Sequence, residues 1–284
     1  MKNKIVIVTD SNSGITSEMS KEMGVYVIPM PFTIEGELYF EGIDLSREDF
    51  FEKQANDLEI ATSQPSPGDI LDLWDQLLKE YDEVLHIPMS SGLSGTCGTA
   101  TVLAQEYDGK VVVVDNGRIS VTLLQSVLDA MKYAAQGKTA KEIKEILISS
   151  KRDSRIFLTV DTLKYLKKGG RITPTAAAIG SVLNIKPVLE IQDKKIDSFA
   201  KVRGWKQAKK TMLDAMEKEL KENFQGQQMK LWIVHTSSEA ETAKFKEETE
   251  ERFPDYTVEV DMLSLSIVTH VGPGILALAC AKVL

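Results

Sequence analysis

Short, mostly apolar runs alternate with polar loops and helical segments along the first half of the chain. Three of these runs cover residues 5–8, 84–87 and 111–114. A continuous apolar run of this length is typical of a strand that is buried on both faces, as strands of a parallel sheet are. The repeated order of strand, loop and helix therefore predicts an α/β fold with helices on both faces of a parallel sheet.

The pattern changes after the middle of the chain. Residues 187–199 predict a β-hairpin, and a long amphipathic helix is expected to follow it. The last helix is expected to begin near Pro273. We therefore predict two domains: an N-terminal α/β domain over residues 1–160, built on the parallel sheet, and a C-terminal α/β domain over residues 161–284.

Composition excludes several classes of protein. The 284 residues carry a formal net charge of −8 at pH 7, which argues against nucleic acid binding because phosphates require a basic surface. No run approaches the roughly 18 apolar residues of a membrane helix, so we expect a cytoplasmic protein without stable membrane insertion. Cys97 and Cys280 lie in apolar segments that are predicted to be helical, and both are expected to be buried free thiols.

A loop rich in hydroxyls and glycine follows the second apolar run, with the sequence Ser90-Ser91-Gly92-Leu93-Ser94-Gly95-Thr96. A loop between a strand and a helix points backbone N–H groups and the positive end of a helix dipole towards an anion. The loop contains no charged residue, which suits a carboxylate better than a nucleotide triphosphate. We predict Ser94 and the neighbouring N–H groups as donors, and helix capping is the alternative explanation.

Asp10 and Thr62 also follow predicted strand ends, as Ser94 does. Ligands of parallel sheets bind beyond the carboxyl ends of the strands, and for this reason we group the three residues as one candidate site. Ser66 is explained as a helix cap because Asp69 follows it at capping-box spacing. For Thr62, ligand contact and turn formation both remain open.

The three histidines differ in context. His86 lies within a predicted strand and is interpreted as structural, and His235 precedes a segment that can cap a helix. His270 stands before the predicted last helix, where an imidazole can donate a hydrogen bond to a carboxylate or move a proton. Arg171 follows a Gly-Gly helix stop and could stabilise an oxyanion or contact a partner's phosphate. The scattered histidines do not support a metal site.

Five segments, spread over essentially the whole chain, together resemble the DegV family, which includes the fatty-acid-binding subunits of bacterial fatty acid kinase. They occur in the order that the family shows. The segments are Thr9-Asp10-Ser11, Thr62-Ser63-Gln64-Pro65-Ser66, Ser90-Ser91-Gly92-Leu93-Ser94-Gly95-Thr96, Gly170-Arg171-Ile172 and His270-Val271-Gly272-Pro273-Gly274.

The resemblance implies a two-domain DegV-like fold that buries one long-chain fatty acid between its domains. Thr62, Ser94 and His270 would hold the carboxylate, and Arg171 would face the catalytic subunit of a fatty acid kinase. ATP and magnesium would belong to that partner, so that this chain would bind no cofactor and perform no chemical step. Four further residues would lie near the site: Asp10, Ser63, Gly95 and Thr96.

Burial of an acyl chain contributes on the order of 0.8 kcal/mol per CH₂ group before ordering costs, so a long apolar tunnel is expected. The candidate lining residues are Ile28, Ile179, Val182, Leu183, Ile185, Leu263 and Ile267. The alternative function is an acyl hydrolase or acyltransferase, with Ser94 as nucleophile and His270 as base. The chain lacks the Gly-x-Ser-x-Gly elbow that exposes such a serine in ordinary esterases.

Overall fold

The structure is a computed structural model that describes residues 4–178, 185–192, 195–236 and 238–284. The chain divides into two compact units. The first unit comprises Met1–Lys151 and Ser264–Ser266, and the second comprises Arg152–Leu263 and Ile267–Leu284.

The first unit contains a four-stranded parallel sheet and a three-stranded antiparallel sheet. Its strands are β1 (Ile5–Asp10), β2 (Tyr26–Ile28), β3 (Pro31–Ile34), β4 (Glu37–Phe40), β5 (Ile60–Thr62), β6 (Glu83–Ile87) and β7 (Val111–Val113). Its helices are α1 (Ser17–Met23), α2 (Arg47–Ala55), α3 (Pro67–Leu77), α4 (Thr96–Leu103), α5 (Val121–Ala135) and α6 (Ala140–Ser149). The strand order is β2-β1-β6-β7 in the parallel sheet and β4-β3-β5 in the antiparallel sheet.

The parallel sheet confirms the prediction from the apolar runs. Helices α3 and α4 pack on the face that Val6, Val8 and Val84 form, and Trp74 of α3 is fully buried there. Successive residues of a strand point to opposite faces, and the opposite face is also buried because α5 and α6 contact the sheet. Ser66 caps α3, since its Oγ accepts a hydrogen bond from the N–H of Asp69 at 3.1 Å.

The second unit is built on one six-stranded mixed sheet with the order β10-β9-β8-β13-β11-β12. Its strands are β8 (Ser154–Thr159), β9 (Ile185–Gln192), β10 (Lys195–Arg203), β11 (Met229–His235), β12 (Val258–Met262) and β13 (Leu276–Lys282). Its helices are α7 (Lys164–Gly169), α8 (Pro174–Ala177), α9 (Gly204–Glu222), α10 (Glu239–Arg252) and α11 (Leu265–Val271), of which α11 begins within the segment assigned to the first unit.

The unit boundary differs from the predicted division into residues 1–160 and 161–284. The first unit ends at Lys151, because β8 pairs with β9 and β13 in the sheet of the second unit. The segment Ser264–Ser266 also belongs to the first unit, where the hydroxyls of both serines contact Oδ1 of Asn12. These pairings join residues that are distant in sequence, so composition along the chain does not reveal them.

The end of the chain corrects a second prediction. No helix begins near Pro273, and residues Leu276–Lys282 form β13, which pairs antiparallel with both β8 and β11. Alanine and leucine favour helices by intrinsic propensity, but their side chains also suit a strand that is buried on both faces. A short apolar run does not distinguish the two structures. Cys280 therefore lies in a strand, and both cysteines are buried, as predicted.

Candidate functional site

Asp10 connects two loops at the carboxyl edge of the parallel sheet. Its Oδ1 accepts a hydrogen bond from the backbone N–H of Asn12 at 3.0 Å, and its Oδ2 accepts one from Met89 at 2.8 Å. Burial raises the pKa of Asp10 to about 6, although both hydrogen bonds act in the opposite direction. The carboxyl group is fully buried. It therefore supports the loops that follow β1 and β6 and is not exposed to solvent.

Two of the four hydroxyls in the Ser90–Thr96 loop shape the loop itself. Ser90 Oγ accepts a hydrogen bond from the N–H of Gly92 at 3.2 Å. Ser91 Oγ donates to Oδ2 of Asp115 at 2.6 Å. These two side chains therefore have structural partners within the first unit.

The other two hydroxyls form a pair at the start of α4. Ser94 Oγ and Thr96 Oγ1 lie 2.9 Å apart, and the N–H of Thr96 donates to Ser94 Oγ at 3.2 Å. Thr96 is buried, whereas Ser94 is half-buried. The first N–H groups of a helix lack acceptors within the helix and carry its positive dipole end. The Ser94 hydroxyl thus stands where an anion is favoured.

Thr62 does not share the parallel sheet with Asp10, and our reason for grouping the two residues was wrong. Thr62 is the last residue of β5, which pairs antiparallel with β3 in the smaller sheet. The next residue, Ser63, is exposed and donates its N–H to the carbonyl of Pro31 at 3.1 Å.

Gln64 joins the Thr62 segment to the Ser94 loop. Its Nε2 donates to Oγ1 of Thr99 in α4 at 3.0 Å. Its amide lies over Gly95, where an added Cβ would stand only 2.6 Å from Gln64 Oε1. Two of the predicted segments are thereby held together within the first unit. Gln64 was not among the predicted site residues, because spacing alone does not reveal the direction of a side chain.

The sequence predicted that His270 precedes a helix. In the structure, His270 instead lies in the last turn of α11. Its imidazole packs against Gly169, the last residue of α7: a Cβ at Gly169 would overlap Nδ1 and lie 3.2 Å from Cγ. Burial lowers the pKa of His270 to about 4, and the charge of Arg171 acts in the same direction. The ring is therefore neutral at pH 7 and retains one N–H donor.

Two more glycines of the His270 segment make close contacts in the same part of the second unit. A side chain at Gly272 would overlap the ring of Tyr165, and one at Gly274 would overlap the carboxylate of Asp161. Both glycines have positive φ angles, 82° and 72°. The segment that follows His270 thus lies against residues that lead into and form α7, and this packing fixes the position of the imidazole.

Arg171 follows the left-handed turn at Gly170, where φ is 68°. The Nη1 of Arg171 donates to the carbonyl oxygen of Gly169. Arg171 is half-buried, and its charge contributes to the low pKa of His270. Its role towards a partner stays a prediction.

The predicted donors are distributed over both units. Thr62 and Ser94 belong to the first unit, and His270 belongs to the second, so their convergence on one carboxylate stays a prediction. Of the predicted tunnel residues, Ile28 and Leu263 are buried and Ile185 and Ile267 are half-buried. Three others lie outside the described residues: Ile179, Val182 and Leu183.

Within the described ranges, no group of His, Cys, Asp and Glu side chains could hold a metal ion. The helices in the same ranges are all too short or too polar to cross a membrane. Neither observation adds a feature to the candidate site, which rests on hydroxyl, amide and imidazole groups.

Comparison with known proteins identifies the family. A model of the DegV family, described as a family of uncharacterised proteins, matches residues 4–283. A DegV domain-containing protein of Listeria innocua is 33% identical over 284 residues, which cover 98% of each chain. The chain belongs to the DegV family. The match extends over both compact units, and it confirms the resemblance seen in the five sequence segments.

Solved structures of DegV proteins share this fold. A DegV family protein from Thermus thermophilus, described as fatty acid binding, matches with a TM-score of 0.90 and 29% identity over 98% of this chain and 99% of that one. DegV from Bacillus subtilis, described as a fatty acid binding protein, matches with a TM-score of 0.86 and 30% identity over 99% of each chain. The predicted α/β fold of the DegV type is therefore confirmed.

Proposed function

We propose that this DegV protein binds a long-chain fatty acid and holds its carboxylate with Thr62, Ser94 and His270. The observation that carries the proposal is the Ser94 hydroxyl at the N-terminus of α4. The neutral imidazole of His270 supplies a further donor. Two DegV proteins that share the fold are described as fatty acid binding, which supports the same ligand for this chain.

The donor set suits a carboxylate that is not neutralised by a full counter-charge. Hydrogen bonds to a charged acceptor are each worth about 1.5–3 kcal/mol. Burial of the acyl chain adds on the order of 0.8 kcal/mol per CH₂ group before ordering costs. In this proposal the apolar chain supplies most of the affinity, and the donors select the head group.

The finer part of the proposal concerns what happens to the bound fatty acid. A fatty acid kinase catalytic subunit in the cytoplasm would transfer the γ-phosphoryl group of ATP to a carboxylate oxygen, which yields acyl phosphate and ADP. ATP and magnesium would belong to that partner, and Arg171 would contact it. The present chain would carry the lipid and perform no chemical step.

An acyl hydrolase that uses Ser94 as nucleophile is not favoured. A serine nucleophile requires an adjacent base to accept its proton. The Ser94 hydroxyl is paired with the hydroxyl of Thr96, which is not such a base.

Mass spectrometry of the denatured, purified protein tests the proposal. We expect a copurified long-chain fatty acid, and we expect Ser94→Ala and His270→Ala to reduce its retention without unfolding the protein. Ser91→Ala is the matched control, because that hydroxyl is already directed to Asp115. Repeated absence of an acyl ligand, together with no uptake of added oleate or palmitate, would contradict the proposal.

A further inference from the structure

The buried hydroxyl of Thr96 has one hydrogen-bond partner in the part of the chain that the structure describes. That partner is Ser94 Oγ, 2.9 Å away. Thr96 is fully buried, and a buried O–H group without an acceptor is costly. The geometry allows either oxygen to donate, and the burial of Thr96 favours its hydroxyl as the donor to Ser94 Oγ.

The same oxygen accepts a second hydrogen bond from Thr96. The backbone N–H of Thr96 donates to Ser94 Oγ at 3.2 Å. A serine hydroxyl has two acceptor lone pairs and one proton. Both lone pairs of Ser94 are therefore used by Thr96, and only its proton is left for another group.

We infer that Thr96 is a positioning residue that makes the Ser94 hydroxyl a hydrogen-bond donor only. This inference rests on the proposed function, in which Ser94 contacts the fatty acid carboxylate. Ser94 is the more exposed member of the pair, so its proton is the one that a ligand can reach. A carboxylate, which only accepts, fits this donor, whereas a head group that must donate to Ser94 does not.

The fixed direction also strengthens the donor. Hydrogen bonds in a chain polarise one another, and donation from Thr96 makes the Ser94 proton a better donor to an anion. The backbone of Thr96 is held in place because Thr96 is the first residue of α4. The preceding residue, Gly95, is covered by the amide of Gln64, which holds the start of the helix.

The experiment measures the affinity of delipidated protein for oleate and for oleyl alcohol by titration calorimetry. Thr96→Val removes the hydroxyl at almost constant volume, and Thr96→Ser keeps it. We expect Thr96→Val to weaken oleate binding about tenfold and Thr96→Ser to stay within about twofold of wild type. Oleyl alcohol, whose hydroxyl can also donate, should gain relative to oleate in Thr96→Val because a Ser94 lone pair becomes available.

The same variants in a Ser94→Ala background separate positioning from general packing. We expect Thr96→Val to have no further effect there, since the hydroxyl that it orients is gone. An equal loss of oleate affinity in both backgrounds, or an unchanged ratio of oleate to oleyl alcohol affinity, would show that Thr96 only supports the loop and would overturn the inference.

Failure of the proposed function gives a different result. If Ser94→Ala alone binds oleate as wild type does, Ser94 does not hold the carboxylate, and both proposals are wrong. If Ser94→Ala weakens binding but Thr96→Val does not, only the role of Thr96 is wrong. Should Thr96→Val not fold, Thr96→Cys replaces it: its weak S–H donor predicts an intermediate loss, and wild-type affinity would contradict the inference.

Discussion

The imidazole of His270 packs so closely against the backbone of Gly169 that a Cβ added at Gly169 would overlap its Nδ1. Gly169 ends α7, and His270 stands in the last turn of α11. Both belong to the second unit. Gly169 therefore does more than end a helix, because its lack of a side chain lets the imidazole pack directly against the backbone.

Substitution of Gly169 by alanine should displace the imidazole. The backbone of Gly169 is helical and accepts alanine, so the new methyl group acts mainly through its overlap with the ring. Loss of the His270 hydrogen bond to a carboxylate corresponds to about 1.5–3 kcal/mol, and we expect oleate affinity to fall roughly 10- to 150-fold. Calorimetric titration of delipidated Gly169→Ala measures this change.

Gly170→Ala is the matched control for this variant. Gly170 has a φ of 68°, and an added Cβ there meets no atom within 4 Å. The substitution should reduce the free energy of unfolding by about 1–2 kcal/mol through backbone strain and leave oleate affinity near that of wild type. Equal oleate affinities in the two variants would remove Gly169 from the support of His270.

A second pair of glycines tests the role of Gln64. Gly95→Ala places a methyl group against the Gln64 amide and should break its hydrogen bond to Thr99, at a cost of about 1 kcal/mol in unfolding free energy. Oleate affinity should also fall, since Gly95 lies between Ser94 and the first residue of α4. Urea denaturation and oleate titration measure the two effects.

The control substitution lies within α4, three residues after Gly95. Gly98 is exposed, and an added Cβ there meets no atom within 4 Å. Gly98→Ala should stabilise α4 by about 0.5–1 kcal/mol, because alanine has the higher helix propensity. If Gly95→Ala were to stabilise the protein as well, the contact between Gln64 and Gly95 would not contribute to the unfolding free energy.

His86 predicts how stability depends on pH. Its ring is fully buried in β6 and packs edge-on against Trp74, with centroids 5.6 Å apart. Neither ring nitrogen has a hydrogen-bond partner within the described part of the chain. Burial lowers the pKa of His86 from 6.5 to about 3, so the contribution of the neutral ring is fully present above pH 6.5 and is lost as the pH falls towards 3.

His86→Phe should remove this acid sensitivity and keep the ring contact with Trp74. One pKa unit corresponds to about 1.4 kcal/mol, and between pH 7.5 and 4.5 we expect the variant to lose about 3 kcal/mol less unfolding free energy than wild type. The lowered pKa of His270 and the raised pKa of Asp10 act in opposite directions and are common to both proteins. Urea denaturation at the two pH values measures the unfolding free energies. An equal loss of unfolding free energy in wild type and His86→Phe would contradict the prediction.

The sequence by itself determined the features that depend on neighbouring residues. Apolar runs predicted the parallel strands, because a strand that is buried on both faces does not alternate between apolar and polar residues. Ser66 and Asp69 predicted the start of α3, since a cap acts over three residues. The hydroxyl-rich loop between β6 and α4 was also evident, and it contains the Ser94 and Thr96 pair.

Only the tertiary structure decided the features that depend on distant residues. Leu276–Lys282 became a strand because β8 and β11 stand on either side of it, and their hydrogen bonds outweigh the helix propensity of alanine and leucine. Thr62 lies in a separate sheet because β5 pairs with β3. The contacts of Gln64 with Gly95 and of His270 with Gly169 need a side-chain direction and a facing backbone, which spacing along one chain does not encode.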